Sequence, residues 1–561
     1  MTRPSGHKEK RLYQIADLPF LERDKVVNYI EEVAGSRRIV IFAGAGVTID
    51  QTGMTWAGLI EKLLEDKALV PSEIVRPETV KAAARLRPVE AATVLKYAAD
   101  KHGHPTGAIP RAMVSKLYHP SDWNDGGLST EVACLALDLA SKGAEVVVAT
   151  TNYEILIEQS LLRVWGLSDH RPTFSVTVQD KPFEKHVGTT GSGSVRLEYL
   201  HGRVDQQGNT RGVIAVDELD YWGLQARVSK ILTRLCKDRE MLIVGSSLSD
   251  VPLLAALANT LHVNKRHRIA LMPVVALGIH EEYEAARVQQ TIELLHMRMS
   301  AYRVELLVPD FFGEVAQFIR EVRRCIRIGP AGATDVNRSR HVQSLHSWWR
   351  SWVDQKSASV DDGHRELAGA LKVLREVLAT HTAALVDAGT RKPDAATETL
   401  RLEAWVRWHP IVEMDRGVNG DDSERKLVEQ NRDLTFWASS ASVLRDPSVQ
   451  RRVPISVQSR YVSVKALTMG KPLVWHLPPF SPSTDRSKDE AGFGRWRSFF
   501  AVPIHAQPPG QGGLTVPVGV ITLSSLEARE TSAIRDELQA CMTGLLAELR
   551  AVGSRLFYVQ A

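Results

Sequence analysis

Residues 37–48 read Arg-Arg-Ile-Val-Ile-Phe-Ala-Gly-Ala-Gly-Val-Thr. An unbroken apolar run, Ile39 to Phe42, that empties into a glycine turn describes a strand buried on both faces, because a strand with one wet face alternates polar and apolar residues. The same pattern recurs at Glu145–Thr150, Val195–Leu200, Met241–Gly245, Ile269–Val275 and Val304–Val308, each ending in small or polar residues. Helical patterns lie between these runs, so the expected fold is α/β, a Rossmann-like parallel sheet with crossover helices. The Ala- and Leu-rich interval from Ala57 to Lys142 carries no strand signal and reads as a helical insertion after the first strand.

Composition sets the outer limits. The 561 residues are 44% hydrophobic and 24% charged, which excludes a disordered or collagenous chain. Seventy Lys+Arg against sixty-six Asp+Glu leave a net charge of +4, so no nucleic-acid groove or anionic membrane surface is advertised. Cys134, Cys236, Cys325 and Cys541 lie far apart, without zinc spacing or a disulfide framework, which fits a reducing cytoplasm. The basic N-terminus leads into no signal-like apolar stretch, and no run is long enough to span a bilayer.

A Gly/Pro-containing stretch, 328–335, separates two differently built halves. The expected division is residues 1–327, a connecting segment with helices at 328–390, and a smaller α+β unit at 391–561. The second half holds eight of the twelve tryptophans, at 348, 349, 352, 405, 408, 437, 475 and 496. Leu367, Leu371, Leu374, Leu378 and Leu385 form one helical stripe, and Ile534, Leu538, Cys541, Leu545, Leu549, Val552 and Leu556 another. Each suits either dimerisation or packing within its own unit.

The chemistry should lie at the strand ends. Gly44, Ala45 and Gly46 would let backbone amides approach a pyrophosphate, with the following helix adding partial positive charge. The third glycine of the dinucleotide fingerprint is missing, since Ile49 stands in its place. Later runs end in Thr150-Thr151-Asn152-Tyr153-Glu154, Leu200-His201-Gly202-Arg203-Val204-Asp205 and Gly245-Ser246-Ser247-Leu248-Ser249-Asp250. Each cluster has a structural alternative: Asn152 in a turn, His201 satisfied by a carbonyl, Ser246 or Ser247 capping a helix.

Taken in order, strand-GAG-x-Thr, TTNY-acid, LHG and GSSLSD resemble the sirtuin-like family, especially its zinc-free bacterial branch, over about residues 37–320. The resemblance implies NAD as substrate and cleavage of the bond between nicotinamide and ribose. It would set Gly44, Ala45, Gly46 and Thr48 around the pyrophosphate, Thr151 nearby, and Asn152 beside the nicotinamide ribose. His201 would act on the ribose hydroxyls, and Gly245, Ser246 and Ser247 would line the phosphate or adenosine side. Glu154 stands where an aspartate is usual. Deacetylase sirtuins carry two Cys-x-x-Cys pairs on a zinc module; this chain has neither, so no metal is expected and water becomes the expected acceptor.

From about residue 391 the order of elements resembles a GAF-type sensor domain, with strands around Leu400–Trp408, Gly470–Val474, Arg497–Ile504 and Pro517–Ser524. The last two read as a hairpin across the loop 508–513. Trp405, Trp408, Trp475 and Trp496 suit core packing or a ligand pocket. The combination implies an NAD glycohydrolase used as a conditionally activated antiphage effector, cytoplasmic and oligomeric, answering a small-molecule or phage-derived trigger. The alternatives are a non-catalytic sensor of NAD or ADP-ribose and an NAD-dependent protein deacylase.

Overall fold

The structure, a computed structural model, describes residues 20–70, 86–104, 107–118, 127–169, 171–188, 193–263, 266–277, 285–328, 341–356, 360–387, 398–407, 433–440, 452–456, 459, 461–477, 496–506 and 517–559. Trp408, the stretch 329–340 and the loop 508–513 lie outside them. The strands of the first half are β1 (Arg38–Ala43), β2 (Glu145–Thr150), β3 (Thr173–Val178), β4 (Lys181–His186), β5 (Ser194–Tyr199), the two-residue β6 (Arg203–Val204) and β7 (Thr210–Arg211), β8 (Glu240–Val244), β9 (Arg268–Leu271) and β10 (Glu305–Leu307).

Eight of them form one sheet in the order β10-β9-β8-β1-β2-β5-β3-β4. Every neighbouring pair is parallel except β3 with β4, so the sheet is mixed and of the Rossmann-like α/β kind. Alternate residues of β1 explain its unbroken apolar run. Ile39, Ile41 and Ala43 enter a core with the helices Asp24–Ala34, Gly127–Ser141 and Gly313–Ile328. Val40 and Phe42 enter the opposite core, against Glu218–Cys236 and Val251–Asn259. A polar residue at any of these sites would be buried without a partner, at a cost of a few kcal/mol.

The insertion is helical in its described parts: Trp56–Leu64, Pro88–Lys101, Ala108–Leu117 and Gly127–Ser141. Its own core of Leu59, Leu63, Leu95 and Met113 also takes in Tyr153, Ile155 and Val204, which places it over the carboxyl ends of β2 and β5. Two sequence expectations change. The run Ile269–Val275 is a strand only to Leu271, because Pro273 has no N–H for the ladder; a short 3-10 turn follows at Val274–Leu277. The β3–β4 hairpin was not foreseen: β3 alternates in burial and β4 is almost wholly exposed.

In the second half β11 (Leu400–Val406), β12 (Asp433–Ser439), β13 (Arg452–Pro454), β14 (Leu473–His476), β15 (Ser498–Ile504) and β16 (Gly519–Ser525) form an antiparallel sheet in the order β13-β12-β11-β16-β15-β14. The β15–β16 hairpin pairs Ser498 with Ser525 through Ile504 with Gly519. Gly470, expected in a strand, instead closes the helix Val462–Met469 in a left-handed turn. The two apolar stripes meet within the chain: helix Val360–Thr380, which belongs to the expected connecting segment, packs on helix Gln539–Phe557 and on β11 and β12. Leu367, Leu374 and Leu378 are thereby buried, and Leu385, also buried, lies on the separate short helix Thr382–Asp387.

Trp348 and Trp352 stack at 5.8 Å, and their indole N–H groups donate to Phe557 O (3.1 Å) and Leu556 O (2.8 Å). Trp405 is buried against Phe436 and Tyr461, Trp496 lies under the Arg401 guanidinium, and Trp475 is partly exposed under Lys465. One apolar cluster runs without a break from the β1 face to Trp348, Trp352 and Trp437 and the second sheet, whereas Trp405 and Trp496 belong to a separate cluster on that sheet.

Candidate functional site

The strand order reverses at β1: β2 and β5 follow on one side, β8 to β10 on the other. Open α/β sheets bind ligands at the carboxyl ends beside such a reversal. Register puts the named clusters at one height, since Ala43 pairs with both Thr150 and Val244, and Thr150 pairs with Tyr199. The chain therefore leaves the sheet together at Gly44, Thr151, Leu200 and Gly245.

The glycines serve loop-to-loop packing. Gly44 N donates to Val244 O and Gly46 N to Gly245 O, both at 2.9 Å. A Cβ on Gly44 would lie 2.5 Å from Gly245 O, one on Gly46 2.8 Å from Gly245 Cα, and one on Gly245 2.5 Å from Val47 N. Gly245 also sits at φ +66°, a conformation that L side chains rarely adopt. These atoms are backbone and have no cheap way to give.

A buried network follows. Thr150 Oγ1 donates to Ala43 O (2.8 Å) and accepts from Asn152 N (3.0 Å), which bolts the β2 turn to β1. Asn152 Nδ2 donates to Thr48 Oγ1 (3.1 Å) and to Glu154 Oε1 (2.8 Å), and Thr48 Oγ1 donates to the same Glu154 oxygen (2.7 Å). Both amide hydrogens of Asn152 are thus used, while its Oδ1 is buried with no partner among the described residues. Burial raises the Glu154 carboxyl above its usual range, opposed by the donated bonds from Thr48 and Asn152. A single Glu154 oxygen thus joins Thr48 and Asn152.

His201 stands at the neighbouring strand end, edge-on to Tyr221 with ring centroids 4.9 Å apart. Burial lowers its pKa, and the Asp250 carboxylate partly opposes this, so the imidazole is neutral at pH 7. Tyr221 is hydrogen-bonded to Tyr153, whose hydroxyl donates to Ala215 O. Ala215 N returns a bond to His201 O at 3.1 Å. Tyr153 therefore connects the His201 side to Asn152 and Glu154, its chain neighbours. Asn152, Glu154 and His201 are 5%, 4% and 2% exposed.

The remaining expected residues are more ordinary. Ala45 accepts from Thr48 N through its carbonyl (3.3 Å), and Thr151 is half-buried at the end of β2. Ser246 Oγ accepts from Leu248 N (3.2 Å), and the Ser247 and Ser249 hydroxyls lie 2.6 Å apart. The cap on helix Val251–Asn259 is Asp250, which accepts from Leu253 N at 2.9 Å. Four further residues complete the surroundings. Tyr118 OH donates to Val204 O (2.6 Å) and accepts from Ile155 N (2.8 Å), so the insertion is tied to both strand-end loops. Tyr221, and Glu158, which is buried and paired with Arg203 of the strand-end cluster, had no sequence signal beyond residue type.

Fold and site together define a Rossmann-like α/β unit with a polar, partly unsatisfied cluster at the ligand end of its sheet. Residues 146–294 match the model of the SIR2-like domain. SIR2-like domains use NAD, and the match supports a sirtuin-like N-terminal region compatible with an NAD-utilising enzyme. It spans β2 to the helix Ala285–Ser300, and so includes Asn152, Glu154, His201, Ser246 and Ser247. No curated protein matches the chain. Among the described residues no group of three His, Cys, Asp or Glu is placed to hold a metal, and no helix is long and apolar enough to cross a membrane.

Proposed function

We propose that the chain is an NAD glycohydrolase, releasing nicotinamide and ADP-ribose, with Asn152 and His201 as its catalytic residues. The observation that carries this is the buried, unpartnered Asn152 Oδ1 within a network whose other groups are fixed. A neutral amide acceptor suits a ribose hydroxyl or an attacking water without placing a full charge beside a departing neutral ring. NAD supplies a positively charged glycoside whose nicotinamide leaves neutral. Thr48 and Glu154 hold the Asn152 amide in one orientation. His201, neutral at working pH, takes the proton of the incoming water, whose oxygen ends on the ribose carbon, and passes that proton to solvent. Gly44, Ala45, Gly46, Thr48, Thr151, Gly245, Ser246 and Ser247 remain the proposed NAD-binding set.

The proposed division is a sirtuin-like unit at 1–327, connecting helices at 328–390 and a GAF-like sensor at 391–561, in a cytoplasmic oligomer that depletes NAD when a phage-derived or small-molecule trigger arrives. The burial of Asn152, Glu154 and His201 supports conditional activity, because a substrate reaches them only when covering segments move. A contact between the halves supports a route for the signal. Gly470 packs on Gly313, with a Cβ on Gly313 only 2.9 Å from Gly470 N, and lies beside Gly127. Gly127 N in turn donates to Asp50 Oδ2 at 2.6 Å, and Asp50 is two residues from Thr48.

The test is to incubate the purified full chain with NAD and separate the products. Free nicotinamide with ADP-ribose, abolished in Asn152→Ala and in His201→Ala, is the expected outcome. Turnover unchanged by either substitution would overturn the assignment. NAD binding without turnover, under every trigger that alters the second half, would favour the non-catalytic sensor. Nicotinamide released only with an acylated peptide would mark a deacylase.

A further inference from the structure

The geometry points to a second ligand site, for a small phosphate- or pyrophosphate-bearing compound, in the cleft between the helix Ala108–Leu117 and the β6–β7 hairpin. A cavity of about 590 Å³ opens there, with Arg111, Phe183, Arg203, Asp205, Asn209 and Arg211 in its wall. That volume is of the size that small ligands occupy.

The three guanidinium groups differ in standing. Arg203 is neutralised, its Nε and Nη2 bonded to the two oxygens of Glu158 at 2.9 and 2.8 Å. Phe183 gathers it with Arg211: their guanidinium carbons lie 4.7 and 5.3 Å from the ring centroid, a cation–π arrangement that holds like charges near each other. Asp205 keeps its negative charge but forms no ion pair with Arg211 among the described residues. Its oxygens accept from Gln207 N (3.0 Å), Asn209 N (2.8 Å) and Asn209 Nδ2 (2.9 Å), which commits the carboxylate to the hairpin turn.

Arg111 and Arg211 have no carboxylate partner among the described residues; the one hydrogen bond of the Arg111 side chain is a long one, 3.4 Å, to Gly107 O. The cleft therefore presents two uncompensated guanidiniums from different elements, one on the helix and one on the hairpin, with Asn209 and Thr210 beside them. A carboxylate satisfies one such fork, whereas a phosphate or pyrophosphate has enough acceptor oxygens to bridge two. None of the residues in its wall belongs to the Asn152 network, although Val204, between Arg203 and Asp205, pairs with Glu154, and the proposal does not depend on NAD cleavage.

The experiment is calorimetric titration of the full chain with pyrophosphate at low ionic strength, then with ADP-ribose. Arg111→Ala and Arg211→Ala should each weaken pyrophosphate binding about tenfold or more, the loss expected for charge-assisted bonds. Asn152→Ala should leave it unchanged. Both arginines are exposed, so the variants should melt like the parent chain. Pyrophosphate that fails to bind at about 10 mM, a concentration well above that needed for a weak site, would overturn the proposal. So would an affinity that stays within about twofold of the parent in both arginine variants. ADP-ribose lost with the arginines would place a nucleotide phosphate in the cleft; ADP-ribose lost only in Asn152→Ala would count against it.

Discussion

Replacing Gly470 by alanine should loosen the two halves of the chain and alter nicotinamide release. Gly470 sits at φ +66°, and a Cβ there would lie 2.7 Å from Gly313 Cα. Two costs are therefore separable. The left-handed conformation costs alanine about 1–2 kcal/mol, and forcing backbone apart at a close contact adds about 1–3 kcal/mol. Gly103 supplies the comparison, being at φ +72° with nothing within 4 Å, so Gly103→Ala carries the conformational cost alone. Gly313→Ala carries the steric cost alone, against Gly470 N and Cα at 2.9 and 3.0 Å. Gly470→Ala should thus destabilise by about 2–5 kcal/mol. At the usual 2–4 °C per kcal/mol for a unit of 150–250 residues, its melting midpoint should fall by at least about 4 °C. Differential scanning calorimetry with a nicotinamide-release assay on the same samples reads both effects. If Gly470→Ala and Gly313→Ala melt no lower than Gly103→Ala and release nicotinamide at the parent rate, the contact neither joins the halves nor conveys anything to Thr48.

Other consequences follow from the same geometry. Thr48→Val keeps the shape but removes the hydroxyl that donates to Glu154 and accepts from Asn152, so stability should drop by about 1–3 kcal/mol and nicotinamide release should fall with it. Serine at 48 should restore most of both. Because burial holds His201 below its ordinary pKa, the acid limb of the pH–rate profile should have its midpoint below about 6.5; a midpoint above that value would mean that another group is titrating. The sign for stability is the same: the folded imidazole binds fewer protons than the unfolded one, so this contribution is lost as pH falls below 6.5. Glu158→Gln should leave the Arg203 charge buried and unbalanced, costing about 3–5 kcal/mol by thermal or denaturant unfolding, while Arg211→Ala, on an exposed side chain, should leave the midpoint in place.

Much of the first sheet was legible because its strands are buried on both faces, and a run such as Ile39–Phe42 admits few other readings. The edge hairpin β3–β4 was hidden for the opposite reason: Lys181-Pro-Phe-Glu-Lys-His186 has no apolar face to reveal it, and is held by pairing with β3 and by the ring contacts of Phe183 and His186. Gly470, read into a strand with Leu473 and Val474, is instead a left-handed helix end, and the proline two residues on, Pro472, is the local mark of that stop. The glycines at 44, 46 and 245 show a subtler gap. A residue that lets backbone amides approach a pyrophosphate also lets two loops close on each other, and the space beside each of these is filled by the backbone of the other loop. Residue type showed that a side chain was unwelcome there, and only the fold could show what excludes it.

The same distinction governs the candidate site. Asn152, His201 and Thr48 could be named from motif order, but the part played by Glu154 could not, since an extra methylene in place of aspartate is equally able to displace the carboxylate. In the structure that methylene lets one oxygen receive both the Thr48 hydroxyl and the Asn152 amide, leaving Asn152 with a single unused polar atom. Glu154→Asp should therefore be more damaging than its conservatism suggests. The shorter carboxylate loses at least one of two bonds, of about 1 kcal/mol each or more since the acceptor can be charged, and frees the Asn152 amide to turn. Nicotinamide release should fall about tenfold or further, with a smaller change in the KM for NAD. If Glu154→Asp releases nicotinamide at the parent rate, the orientation of Asn152 does not depend on this carboxylate, and Oδ1 loses its claim as the group that receives the substrate.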